Sequence, residues 1–295
     1  MSVDGTSFNL RLATLYFAGH AYGYGHLYRS QALANTARQM GYTVFEISNY
    51  PILSEYWISE HDIASLHAAL VRIKPDWLII DLPTISREIS ITAHELGIKT
   101  CFLNGVGHQL ETELADLVWI QDMPERIILR PKFTNHKTDT EWFVYGGGAD
   151  ELGLLPCFSK AMPDVTAYLI DTNLTGYSAN IVQSRLHELV RPDNIQILDY
   201  MQHARRAALH MGMNAWELAA LGKSIYLFSR DEGHLYFAQH MAELNLALAF
   251  PRVGLPEADE LRNFLAIDFT PSGKKPDGLG AQRLLKELKD YLETP

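Results

Sequence analysis

Short apolar runs alternate with longer segments of helical period in this chain, and that alternation constrains its fold most. Leu10–Phe17, Thr43–Ser48, Trp77–Asp81, Thr100–Leu103 and Val118–Gln121 read as buried strands. Helical patterns at Ser30–Met40, Ser65–Ile73 and Ile85–Leu96 fall between them. A strand that is apolar along its length must be covered on both faces, and successive parallel strands need a crossover to join them. Both requirements select βαβ units around a parallel sheet.

The pattern then restarts. Arg130–Thr140 (RPKFTNHKTDT) is polar, carries a proline and reads as a linker. Beyond it, strands are expected at Trp142–Tyr145, Ala167–Ile170, Ile195–Leu198, Ala207–His210, Ser224–Phe228 and Leu246–Phe250. Helices are expected at Ile181–Val190, Ala215–Leu221, Leu235–Leu244, Glu257–Leu265 and about Ala281 to Leu292, with a loop at Pro271–Gly278. A chain of 295 residues suits two domains, each of roughly 150 residues. The expectation is an α/β protein of two Rossmann-like domains, 1–140 and 141–295, facing each other across a cleft. Ligands then bind at the carboxyl ends of the strands.

Composition excludes some functions. No apolar run approaches the ~18 residues of a membrane span. The opening MSVDGTSFNLR lacks the order of a signal peptide. No integral membrane segment is expected, and a cytoplasmic protein with reduced thiols is the default. The two cysteines, Cys101 and Cys157, form no metal or redox motif. A net charge of −10 argues against a nucleic-acid partner. An anionic small ligand stays possible, because a helix N-terminus binds phosphate locally.

Four strand-end segments carry unusual residues. Phe17–Arg29 (FAGHAYGYGHLYR) places Gly23, Gly25, His26 and Arg29 between a strand and a helix. Glycine there lets a ligand approach the backbone. His26 suits a general base, since imidazole titrates near neutral pH; a capping role at a helix start is the simpler alternative. His20 and His26 lack the further ligands a metal site needs.

Tyr145–Asp150 (YGGGAD) exposes the N–H groups of Gly146, Gly147 and Gly148, a plausible diphosphate cradle without Walker spacing. Its simpler reading is a turn with Asp150 as a helix cap. In His210–Lys223 (HMGMNAWELAALGK), Asn214 and Glu217 have the spacing of a capping box. Equally, Glu217 could accept two hydroxyls of a ribose. Ser229–Met241 brings Asp231, Glu232 and His234 after a strand, either toward a site or as a solvated helix start.

These loops in this order resemble the GT-B superfamily of nucleotide-sugar enzymes, and within it the SpsG/PseG group; MurG is a more distant relative. The group's G-x-G-H-x-x-R is matched by Gly23, Gly25, His26 and Arg29, and its "DWLIVD" by Asp76–Asp81. Its glycine loop is matched by Gly146, Gly147, Gly148 and Asp150, and its "WELAALG" by Trp216–Gly222.

The resemblance implies that the second domain holds a nucleoside diphosphate, most naturally UDP. Glu217 would bind ribose. The glycine loop with Met213 and Asn214 would bind the diphosphate, and uracil would lie near Leu198–Met201. His26 would reach across the cleft to activate water at the sugar's C1. Gly23, Gly25, Arg29, Asp81, Asn104 and His234 would lie on the sugar side. The chain departs from the group at Pro83, where a tyrosine is usual, at Asn104–Gly105, where the group has two aspartates, and at Gly233–His234 in place of "NQ".

The reading that results is a nucleotide-sugar hydrolase of surface-polysaccharide or nonulosonic-acid synthesis, needing no metal or cofactor. Two alternatives stand beside it: a glycosyltransferase that moves the sugar to an acceptor hydroxyl, and a non-catalytic nucleotide-sugar-binding protein.

Overall fold

A computed structural model of the chain describes residues 9–18, 25–50, 55–59, 62–83, 86–104, 114–130, 138–147, 150, 152–171, 184–191 and 196–294. The chain divides into two compact units. One takes its elements from residues before Asp122 and from Leu279 onward; the other takes them from Asp122–Gly278.

The first unit contains β1 (Arg11–Tyr16), α1 (Gly25–Gln39), β2 (Thr43–Ser48), β3 (Tyr56–Trp57), α2 (Ile63–Ile73), β4 (Trp77–Asp81), α3 (Arg87–Glu95), β5 (Lys99–Asn104) and β6 (Leu117–Ile120). Its strands form a six-stranded sheet in the order β3-β2-β1-β4-β5-β6. Every pairing in it is parallel. The strand order reverses between β1 and β4, where Tyr16 pairs with Asp81 at the carboxyl edge. Leu15, Phe17, Ile80 and Leu82 pack with α2 and α3 in one core. Alternation along the strands turns Tyr16 and Asp81 to the opposite face, toward α1.

The second unit contains β7 (Thr140–Tyr145), α4 (Leu154–Ala161), β8 (Ala167–Ile170), β9 (His187–Val190), α5 (Gln196–His203), β10 (Ala204–His210), α6 (Met213–Ala220), β11 (Ser224–Ser229), α7 (Glu232–Glu243), β12 (Leu248–Val253) and α8 (Ala258–Leu265). Its six strands run in the order β12-β11-β10-β7-β8-β9, again all parallel. The reversal here lies between β7 and β10. Each unit therefore has the doubly wound order whose ligands sit at the strand-order switch.

The last helix, α9 (Gly280–Glu293), belongs to the first unit rather than to the second half of the sequence. Its buried face of Ala281, Leu284, Leu285 and Leu288 packs on α1. Trp77 Nε1 donates to the Leu288 carbonyl over 3.1 Å. Among the described residues the chain thus passes between units at Gln121–Asp122 and again at Gly278–Leu279, rather than once near residue 140.

Local differences have local causes. Ile195–Leu198 was expected as a strand, but Gln196–His203 is helical. Buried Ile197 and Met201 stand one helical turn apart, and an apolar run that short does not distinguish strand from helix. The expected helix Ile181–Val190 ends in a strand, His187–Val190, paired with β8; its start lies outside the described residues. Helix α4 has no counterpart among the expected helices; its Pro156 sits in the first turn, where proline is tolerated. Among the described residues, no helix is long and apolar enough to cross a membrane.

Candidate functional site

Helix α1 begins at Gly25, not at Ser30. The extra turn puts His26, Arg29 and Ser30 one turn apart on a single helix face. All three converge on Asp81, the last residue of β4. His26 Nδ1 lies 2.7 Å from Asp81 Oδ1. Arg29 Nε donates to Oδ2 over 2.8 Å, and its Nη2 donates to Oδ1. The Ser30 hydroxyl donates to Oδ2 over 3.1 Å.

Asp81 is fully buried. Burial opposes its ionisation, but the Arg29 guanidinium and His26 outweigh it and hold the carboxyl down at about 2. Two groups approach His26 Nδ1, Asp81 Oδ1 at 2.7 Å and Arg29 Nη2 at 3.2 Å. The shorter contact is to an ionised carboxylate, which can only accept, so Nδ1 carries a proton and donates it to Asp81. The lone pair of the neutral ring is then on Nε2. His26 keeps 18% of its side chain exposed, so the ring is accessible while the carboxylate is not. Asp81 and Arg29 are both too buried and too engaged to meet a ligand except through His26. Gly25 opens α1 and Asn104 closes β5; Gly23 and His20 lie outside the described residues.

The second unit gathers its polar groups at its own strand-order switch. Gly146 follows β7, and a side chain there would meet Asp150: a Cβ would stand 1.8 Å from Asp150 Oδ1. Gly147 has φ +82°, a conformation that favours glycine. Gly148 is outside the described residues. Asp150 accepts from Leu154 N at 2.7 Å and Leu155 N at 3.1 Å, capping α4 as its simpler reading proposed. Burial pushes its carboxyl up to about 6 despite these bonds.

His210, the last residue of β10, received no role from sequence, yet it stands beside this loop. A Cβ placed on Gly147 would stand 3.9 Å from its Nδ1. Its Nε2 is buried with no hydrogen-bond partner among the described residues. Burial, followed by the charges of Arg230 and His234, lowers its pKa to about 4. The signal available in sequence was a histidine closing the apolar run Ala207–Leu209, two residues before Gly212.

Helix α6 starts at Met213 after Gly212 and has no side-chain cap, so the capping box does not form. Glu217 instead binds Arg130, whose Nε donates to Oε1 over 2.6 Å and whose Nη2 donates to Oε2 over 2.5 Å. Arg130 Nη2 also donates to Asn214 Oδ1 at 3.1 Å. Glu217 is fully buried. Arg130, read as the start of a linker, is thus its partner.

Leu198 lies on α5 and packs against the core. His234 is in the first turn of α7, with Nδ1 2.7 Å from Asp231 Oδ1. Asp231 also caps the helix by accepting from His234 N. No group of three or more candidate metal ligands occurs among the described residues.

No protein-family model matches this sequence, nor does any curated protein. Solved structures resemble it in fold. MurG of Acinetobacter baumannii has a TM-score of 0.66 at 12% identity, with 95% of this chain and 99% of that chain covered. The UDP-GlcNAc 2-epimerase of Methanocaldococcus jannaschii, in complex with UDP-GlcNAc and UDP, has a TM-score of 0.65 at 9% identity, covering 95% and 100%. The spinosyn forosaminyltransferase SpnP has a TM-score of 0.63 at 10% identity, covering 96% and 95%. At such identities the likeness establishes the fold, two Rossmann-like α/β domains. MurG is also one of the proteins that the sequence motifs resemble.

Proposed function

We propose that this chain is a nucleotide-sugar enzyme in which His26 is the general base. The observation that carries this reading is the His26–Asp81 pair. A buried, ionised carboxylate fixes the imidazole so that its basic nitrogen is the one not engaged in the fold. That is the arrangement general-base chemistry needs, and a binding-only protein has no use for it. The fold likeness to proteins solved with UDP and UDP-GlcNAc supports UDP as the nucleotide.

Each unit has a distinct role in this proposal. The second unit holds the nucleoside diphosphate, with Gly146, Gly147 and the start of α6 at Met213 and Asn214 supplying backbone N–H groups. His210 Nε2 would meet a phosphate oxygen. Ribose is assigned to the Arg130–Glu217–Asn214 group, where a hydroxyl would exchange for one of the Arg130 bonds, and the base to the neighbourhood of Leu198. His234 would contact the sugar. In the first unit His26 takes the proton of a hydroxyl as its oxygen attacks C1. The bond from C1 to the diphosphate breaks, and the diphosphate leaves with the electron pair. N–H groups aimed at that developing charge lower the barrier. Asp81 and Arg29 act through His26.

With water as nucleophile the reaction is hydrolysis; with an acceptor hydroxyl it is glycosyl transfer. Incubation with a panel of UDP- and CMP-sugars, following nucleotide release with and without added alcohols, tests the proposal. Release is expected from the native chain and not from His26→Ala. Equal release by both sinks the role given to His26.

A further inference from the structure

A mostly apolar pocket with about 100 Å³ of internal space opens at the carboxyl edge of the first sheet. It lies on the α2 and α3 side, opposite the face that carries Asp81. Phe17 and Leu82 line it from the strand ends, each one residue beyond the paired Tyr16 and Asp81. Ile58, Ile63 and Ile89 add further apolar wall, and Pro83 completes this edge. The charged and hydroxyl groups among its described lining are Asp62 and Ser86, which cap α2 and α3 by accepting from Ser65 N and Ile89 N.

These walls suit neither water nor a sugar, which presents hydroxyls in every direction and would leave them unpaired. They suit a compact apolar group. Pro83 stands where the resembling group carries a tyrosine, and it brings neither a hydroxyl nor an aromatic ring into this space. The cavity and the base share one sheet edge: Asp81 turns to one face to hold His26, and Leu82 turns to the other to wall the cavity. A single ligand laid over that edge would reach both.

Resting on the nucleotide-sugar reading above, we infer that the nucleophile is a hydroxyl carried on an apolar body seated in this cavity, so that the reaction is transfer. The acceptor's O–H bond breaks and its oxygen bonds to C1. The C1–O bond to the diphosphate breaks. The diphosphate leaves with the electron pair, and His26 keeps the proton.

The full chain is titrated with 2-naphthol, a phenol on an apolar body, by fluorescence and by isoleucine-methyl NMR. Saturable binding is expected, shifting the methyl signals of Ile58, Ile63 and Ile89 but not those of Ile197 and Ile225 in the second unit. Ile63→Trp, which fills the cavity, is expected to weaken binding at least tenfold without altering UDP binding. With a panel of UDP-sugars, 2-naphthol is expected to speed UDP release at least tenfold and to yield a naphthyl glycoside. Unmoved isoleucine signals, or UDP release at one rate with and without 2-naphthol, would overturn the inference while leaving the nucleotide-sugar reading intact. Absence of UDP binding by the native chain overturns that reading, and the acceptor assignment with it, whatever the cavity binds.

Discussion

Asp81 Oδ1 lies 2.7 Å from His26 Nδ1, and the same carboxylate holds Arg29 and Ser30. One buried side chain therefore sets the tautomer of the histidine and neutralises the arginine that would otherwise be buried alone. These two duties separate under mutation.

His26→Ala removes the base and leaves Asp81 paired with Arg29. Turnover is expected to fall by about 10²–10⁴-fold, the usual worth of general-base catalysis, with UDP affinity unchanged. Asp81→Asn strips the counter-charge from buried Arg29, so it is expected to lower stability by about 3–5 kcal/mol as well as turnover. Urea unfolding beside steady-state nucleotide release distinguishes the two. Undiminished stability in Asp81→Asn contradicts the structural half of this account.

With its pKa lowered to about 4, His210 is neutral at pH 7 in the free protein. A phosphate oxygen against Nε2 favours the protonated ring and raises that pKa in the complex. UDP binding should then take up a proton, and affinity should fall as pH rises through the pKa of the complex. Calorimetry in buffers of different ionisation heat reads the uptake. It should exceed that of His210→Asn, whose value accounts for the titration of UDP itself. Equal uptake by both proteins removes His210 from the phosphate.

Glu217→Gln is expected to cost about 1–3 kcal/mol of stability, because it leaves the partly buried Arg130 guanidinium without its counter-charge. The ribose assignment is read separately, by comparing UDP with 2′-deoxy-UDP. The native chain should prefer UDP about tenfold, roughly one charge-assisted hydrogen bond, and the folded variant should not. No preference in the native chain assigns Glu217 to stability alone.

Asp150 titrates the other way from Asp81. Burial raises its folded pKa to about 6 from 3.8, so the protonated form is the one folding favours. Its stabilising contribution is complete below pH 3.8 and lost as pH rises through 6, about 3 kcal/mol in all. Against the native chain, Asp150→Asn should lack this dependence between pH 4 and 7. Gly146→Ala, which drives a methyl into the same carboxylate, should destabilise by about 1–3 kcal/mol. Parallel pH profiles of native and Asp150→Asn unfolding would show that this carboxyl is not perturbed.

Much of the fold is legible in the sequence because parallel strands are buried along their whole length. Trp77–Asp81 and Thr43–Ser48 form strands over the residues expected. Legibility fails where an element depends on distant partners. The two-residue β3 and the helix at Gln196–His203 leave no long local pattern. His26 was legible through its spacing to Arg29. The tie of both to Asp81 was not, since those residues lie more than fifty positions away from it. Arg130 sits in a polar stretch of sequence, and only its bonds to Glu217, 87 positions on, give it meaning. His210 leaves no mark in sequence beyond closing a short apolar run.

Helix α9 gives the first unit a late-arriving part. Trp77 is synthesised more than two hundred residues before Leu288, the carbonyl its indole binds. On the ribosome, α1 and the indole of Trp77 must therefore wait for the helix that packs on them, while residues Asp122–Gly278 of the second unit emerge together. Chain growth thus reverses the order that the N-terminus would suggest. A fragment ending at Gly278 should retain the second unit but show red-shifted, quenchable emission from Trp77, which the full chain shields.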